Sequence, residues 1–153
     1  MCSDHPKVLH AVAGRPMLGH VLAAAEALDP ACCVVVVGPG QEAVAEAAAP
    51  HATAVQEERL GTGHAVLCAR TALGELAADP GTDVLVLCGD TPLLTAETLQ
   101  RLRTAKDEAH AGLAVLGFRT DEPAAYGRLV DNSNGFLERI VEAKDATPEE
   151  QAI

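Results

Sequence analysis

The chain has 153 residues, 48% apolar and 22% charged, with 2% aromatic residues and no Trp, enough for one soluble domain whose core is built from Ala, Val and Leu. A formal net charge of -11 argues against a nucleic-acid or anionic-membrane surface, because both need a basic patch. Any site for a phosphorylated ligand must therefore concentrate the few basic residues or recruit a divalent cation.

Apolar residues at 17, 18, 21, 22, 25 and 28 predict an amphipathic helix over Met17–Leu28, with Pro16 at its first turn. Cys32–Val37 is a continuous apolar, β-branched run closed by Gly38-Pro39-Gly40, which reads as a buried strand and its turn. A helix over Gln41–Ala49 stops at Pro50, and Thr53–Gln56 forms a short strand. A helix from about His64 to Ala78 ends before Pro80-Gly81. Asp83–Cys88 reads as a second buried strand ending in Gly89-Asp90-Thr91-Pro92, and Thr95 caps a helix with Leu99, Leu102 and Ala105 on its inner face. Leu113–Phe118 is expected to be a strand, and Gly127–Val130 with Phe136–Glu142 a hairpin around Asp131–Gly135. Thr147-Pro148-Glu149-Glu150 has the form of a capping box.

Alternation of strands and helices implies an α/β fold with a largely parallel sheet covered on both faces. Ligands in such sheets sit beyond the carboxyl ends of the strands. Asp90 and the loop at Gly61 both follow strands there, as does Pro39, which has no functional side chain beside it. Gly61-Thr62-Gly63 leaves the backbone uncovered at a helix entry, where unpaired N–H groups favour anions and polar ligand edges. A Gly-Thr-Gly turn that merely redirects the chain is the plainer reading of that feature alone. For Asp90 the plainer reading is an Asx turn or cap, and for Lys7 a solvated surface residue. Five cysteines (Cys2, Cys32, Cys33, Cys68, Cys88) form no C-x-x-C pair. Cys32, Cys68 and Cys88 lie in apolar runs as small hydrophobes, which implies reduced thiols and a cytoplasmic setting. Among six histidines, His10, His20 and His64 read as core or capping residues rather than metal ligands. No apolar run is long enough to cross a bilayer.

Five islands occur in fixed order: P-K-V-L-H at 6–10, V-Q-E-E-R-L-G-T-G-H-A at 55–65, C-G-D-T-P-L at 88–93, Y-G-R-L at 126–129 and I-V-E-A-K-D-A-T at 140–147. Together they closely resemble the uridyltransferase domain of the bacterial bifunctional N-acetylglucosamine-1-phosphate uridyltransferase/glucosamine-1-phosphate acetyltransferase family. The resemblance implies a Rossmann-like nucleotidyltransferase fold and transfer of UMP from UTP to N-acetylglucosamine 1-phosphate, with Mg²⁺ as cofactor. By that resemblance Lys7 binds phosphates, Gln56, Gly61 and Thr62 contact the uracil ring, and Asp90 is a Mg²⁺ ligand. Cys88 and Gly89 line the same strand tip, although many relatives carry an aromatic residue at the position of Cys88. Gly127 and Glu142 contact the N-acetylglucosamine moiety, and Tyr126 and Arg128 flank them in structural roles.

The family's Gly-rich triphosphate loop, L-A-A-G-x-G-T-R-M, and the central strand before it are expected to be absent, with Met1 standing as the motif's last residue. Cys32–Val37 and Asp83–Cys88 would flank that strand and be left with unpaired apolar edges. The second metal ligand, further sugar contacts and the β-helix acetyltransferase domain, on which the family's trimer is built, are expected to lie outside this sequence. Residues 1–153 thus read as a partial nucleotidyltransferase domain with little or no turnover in isolation. Alternative readings are another sugar-nucleotide nucleotidyltransferase and a non-catalytic nucleotide-sugar-binding remnant. A dinucleotide-dependent dehydrogenase is disfavoured, because no G-x-G-x-x-G follows a strand.

Overall fold

A computed structural model describes residues 5–153; Cys2 and the reading of Met1 as a motif residue lie outside them. The chain divides into two compact units, one ending at His110 and one running from Ala111 to Ile153.

In the first unit, a one-turn 3-10 segment at Lys7–Leu9 leads into a small antiparallel hairpin, β1 (Ala11–Val12) with β2 (Arg15–Pro16). Helix α1 (Met17–Glu26) follows, with Pro16 just outside it as the N-cap. Strand β3 (Val34–Val37), helix α2 (Glu42–Ala47) and strand β4 (Ala52–Val55) form a β-α-β unit, with β3 and β4 paired in parallel from Val34↔Ala52 to Val37↔Val55. Helix α3 (Thr62–Leu73) packs on both strands and passes into a 3-10 turn at Gly74–Ala78. It begins two residues before the expected His64, and its α-helical part stops at Leu73 rather than Ala78. The core joins Leu18 and Leu22 of α1, Val37 of β3, Val44 of α2 and Ala48, with Val8, Leu9, Cys33 and Val35 packed against it.

Helix α4 (Ala96–Glu108) starts at Thr95, whose side chain accepts from Thr98 N at 3.2 Å, as the expected cap requires. Leu99 is 1% exposed and Leu102 is half-buried, but Ala105 is exposed, so the inner face of α4 is one turn shorter than its periodicity implies.

Two expected strands are corrected. Asp83–Cys88 and Leu113–Phe118 pair with no strand among the described residues. Val84, Leu85 and Val86 in the first run, and Leu113, Val115, Leu116 and Phe118 in the second, are exposed. An apolar run supplies side chains suited to a covered pleated surface. A strand, however, exists only when neighbouring backbone takes its N–H and C=O groups, and neither segment has such a neighbour. Parallel pairing is likewise confined, among the described residues, to β3 and β4, because the other two sheets are antiparallel pairs. Cys88 is exposed rather than buried as a small hydrophobe, whereas Cys32, Cys33 and Cys68 are half-buried.

The second unit is the expected hairpin. Strands β5 (Arg128–Asp131) and β6 (Leu137–Val141) pair antiparallel from Arg128↔Val141, with an irregularity between Val130 and Asp131. Asn132 closes the turn, since its Oδ1 accepts from Asn134 N at 2.9 Å and from Phe136 N at 3.1 Å. Gly135 takes φ 77°, which a residue with a side chain rarely adopts. Helix α5 (Pro148–Gln151) carries the capping box complete: Thr147 Oγ1 accepts from Glu150 N at 3.2 Å, and Glu150 Oε2 accepts from Thr147 N at 2.8 Å.

Arg128 is the buried charge of this unit, 6% exposed. It donates to Tyr126 O, and through Nε and Nη2 to Gln151 O at 3.4 Å, tying the hairpin to α5. Truncation would leave two carbonyls short of a charged donor. Arg128→Ala is therefore expected to destabilise the protein by about 1.5–3 kcal/mol, read as a lower urea midpoint at unchanged slope.

Candidate functional site

The chain reverses direction at residues 88–91. There Thr91 donates to Cys88 O twice, from its backbone N at 3.3 Å and from Oγ1 at 2.7 Å. Thr91, not Asp90, closes this turn, so the carboxylate of Asp90 is not consumed as a turn cap. Gly89 packs beneath it: a Cβ at that position would sit 3.4 Å from Val8 Cγ1 and 3.6 Å from Leu18 Cδ1. Val8 belongs to the 3-10 turn that begins at Lys7, where Leu9 N donates to Pro6 O at 2.9 Å. Packing of Val8 against Gly89 thereby delivers Lys7 to the tip.

Lys7 Nζ donates to Asp90 Oδ2 at 2.7 Å across 83 positions of sequence. The hydrogen bond from Lys7, foremost, holds the Asp90 carboxyl below its ordinary range, against the opposing effect of partial burial. Side-chain exposures of 61% for Lys7 and 38% for Asp90 keep the pair in screening solvent, so its contribution to stability is at most about 1 kcal/mol. Because the folded value is depressed, that stability is present above the unfolded carboxyl value of about 3.9 and is lost as pH falls through the lower folded value. Asp90→Asn is accordingly expected to flatten the fall in stability as pH drops below about 5, to the extent of that pair's share, in urea titrations of both proteins.

The second group of expected residues lies at the carboxyl end of β4. Gln56 N donates to Val37 O at 2.8 Å, extending the β3–β4 ladder by one step and fixing the backbone from which the Gln56 side chain departs. Gly61 is the N-cap of α3 with φ 94°, a conformation open to glycine. Its carbonyl accepts from Ala65 N at 3.1 Å and from Gln56 Nε2 at 3.0 Å. Gln56 Nε2 also lies 3.1 Å from His64 Nδ1. Gln56 and Gly61 are thus joined directly, and Thr62 is the first residue of α3. His64, expected only to fill the first helical turn, is a partner of the loop's key amide.

An open cleft of about 340 Å³ lies beyond the carboxyl ends of β3 and β4, lined by Val37, Gly38, Pro39, Gln41, Glu42 and Glu57 among others. Gln41 Oε1 there accepts from Gly38 N at 2.8 Å. Pro39 therefore has polar side chains beside it, and the two carboxylates repel phosphate. In the second unit, continuing the register from Arg128↔Val141 by one step sets Gly127 opposite Glu142. A Cβ on Gly127 would stand 3.4 Å from Val141 O and from Ile140 Cγ2, so the backbones approach closely there.

The expected residues are thereby gathered into three local groups: Lys7 with Cys88, Gly89 and Asp90; Gln56 with Gly61 and Thr62; and Gly127 with Glu142. Among the described residues no group of three or more His, Cys, Asp or Glu side chains is placed to hold a metal ion. The donor set at Asp90 is one accessible carboxylate. That suits a hard cation which keeps waters and takes further oxygens from a phosphorylated substrate, and it does not suit a metal caged by protein alone.

Residues 1–147 match a family model described as the MobA-like NTP transferase domain. Over its full length the chain is 53% identical to the bifunctional protein GlmU of Rhodospirillum rubrum, of which it covers 33%. It is 54% identical to that of Burkholderia multivorans, again covering 33%. It is 49% identical over 99% of its length to that of Paramagnetospirillum magneticum. The resemblance carried by the five sequence islands is borne out, and the chain spans about a third of the length of these curated relatives. Families of this kind generally use a divalent metal, and among the described residues no helix is long and apolar enough to cross a membrane. With the family model matched over nearly its whole length, the chain belongs to the MobA-like NTP transferase family.

Proposed function

We propose that this chain contributes to transfer of UMP from UTP to N-acetylglucosamine 1-phosphate, giving UDP-N-acetylglucosamine and pyrophosphate in a cytoplasmic pathway to cell-wall precursors. The observation that carries the proposal is the 2.7 Å approach of Lys7 to Asp90. It unites a cation and a carboxylate, far apart in sequence, at a glycine-floored tip. The fold behind it is a Rossmann-like nucleotidyltransferase sheet in which the β3–β4 pair is the parallel element.

Nucleotidyl transfer asks little covalent chemistry of a protein. It needs the attacking sugar-phosphate oxygen placed in line with the α-phosphorus and the growing negative charge neutralised. Lys7 binds phosphate oxygens, which replace the Asp90 carboxylate as acceptors of its amine. Asp90 is the carboxylate that would hold Mg²⁺. The cation, when bound, supplies charge neutralisation on the phosphates. Cys88 and Gly89 line the approach to Asp90. Gln56 reads the uracil edge, with the uncovered backbone at Gly61 and Thr62 supplying polar contacts. Gly127 contacts the sugar through its backbone, and the Glu142 carboxylate accepts hydrogen bonds from the sugar hydroxyls.

Competition binding with UTP, dTTP, CTP and GTP at fixed Mg²⁺ tests the assignment. UTP is expected to bind tightest; a preference for GTP or CTP would assign the chain to a different sugar-nucleotide reaction.

A further inference from the structure

We propose that His64 is a positioning residue that fixes the amide of Gln56 in one orientation, making the site select a base that presents an N–H donor. The inference rests on the reading of Gln56 as the base-contacting side chain and adds to it the residue that gives this contact its sign.

A glutamine amide is symmetric in shape but not in chemistry, since one end only donates and the other only accepts. Turned over, the same side chain asks for the opposite ligand edge. In this protein the orientation is determined by two partners. The Gly61 carbonyl, 3.0 Å away, can only accept, so the atom facing it must be the NH₂ group. His64 Nδ1, 3.1 Å from the same nitrogen, takes the second N–H. In this contact Nδ1 is the acceptor, because the amide nitrogen can only donate. Cys68, one turn along α3, places Sγ 3.9 Å from both ring nitrogens and packs against the ring. Gln56 and His64 are both half-buried, so ring and amide are held by packing as well as by hydrogen bonds.

With both N–H donors spent, Oε1 is the end of the amide that remains, and among the described residues no donor reaches it. An acceptor in that place pairs with the N3–H of uracil. Opposite cytosine it faces the N3 lone pair and repels. Rotating the amide by half a turn would exchange the two preferences. Without His64, one of the two restraints against that rotation is gone.

The readout is therefore the ratio of UTP to CTP affinity, measured by calorimetry with Mg²⁺ on the full chain. Removing the imidazole in His64→Ala is expected to lower the ratio by up to about tenfold, the weight of one hydrogen bond. His64→Asn keeps an acceptor near the position of Nδ1 and is expected to restore most of the ratio. A purely structural role would weaken both nucleotides together, and the thermal midpoint of each variant reports that separately. An unchanged ratio in His64→Ala, with the ratio lost in Gln56→Ala, would overturn the role of His64 while leaving Gln56 as the base reader. An unchanged ratio in Gln56→Ala would overturn the reading of Gln56 itself, and the role of His64 with it.

Discussion

Asp90→Asn is expected to remove the part of UTP affinity that Mg²⁺ supplies, weakening binding roughly 10–100-fold in Mg²⁺, as expected for loss of a charged partner. The substitution preserves shape, so packing of Gly89 against Val8 and Leu18 is untouched and the change isolates charge. In EDTA the sign reverses. The Asp90 carboxylate competes with phosphate for Lys7 at 2.7 Å, and the substitution removes that charged competitor. The variant should then bind UTP as well as, or better than, the wild type. Lys7→Ala, in contrast, is expected to bind UTP more weakly in both conditions. Calorimetric titration of the three proteins in Mg²⁺ and in EDTA separates these patterns. Equal affinities of Asp90→Asn and wild type in Mg²⁺ would remove Asp90 from the metal site.

Leu99→Ala is expected to cost about 2–5 kcal/mol of stability, the range for deleting a buried leucine side chain. Leu99 is 1% exposed, the most covered large side chain among the described residues. An aromatic content of 2% leaves no neighbouring bulk of that kind to fill the resulting cavity. The loss is comparable to the whole stability of a small domain, so partial unfolding at 25 °C is the expected phenotype. Ala105→Ser, two turns further along α4 and exposed, should shift stability by no more than about 0.5 kcal/mol. Urea unfolding of both variants checks the contrast.

Local structure was legible wherever local chemistry decides it. The Thr95 and Thr147 caps and the turn at Asn132–Gly135 all follow from residues a few positions apart. Helix α3 ends at Leu73 because Gly74, with φ 59°, opens an exit from the α conformation well before Pro80. The strands expected at 83–88 and 113–118 failed for the opposite reason. Their residue types are right for covered strands, but pairing and burial belong to the neighbours, which no short window contains. The outward face of Ala105 on α4 is the same kind of failure.

The candidate site residues rest one at a time on the resemblance, which carries no geometry. Nothing in the spacing of Lys7 and Asp90 announces an ion pair, because Val8, Leu18 and Gly89 make it through packing. Sequence reading passed over the link from His64 to Gln56, although both residues stand in the same island. An imidazole at the start of a helix is common, and only the fold back through Gly61 turns it toward the amide. A structural role for Arg128 was expected from the resemblance, but neither its burial nor its partner Gln151, 23 positions away, was.

Lys7, Asp90 and the Gln56–Thr62 loop are expected to form one uridine-nucleotide site. Titrating isotope-labelled protein with Mg²⁺ and UTP, while following backbone amide resonances, tests it most directly. Concerted shifts are expected at Lys7, Gln56, Gly61, Thr62, Gly89 and Asp90, saturating with a single affinity. Shifts confined to the cleft at Gly38–Gln41, or separate affinities for the Asp90 tip and the Gln56 loop, would contradict it.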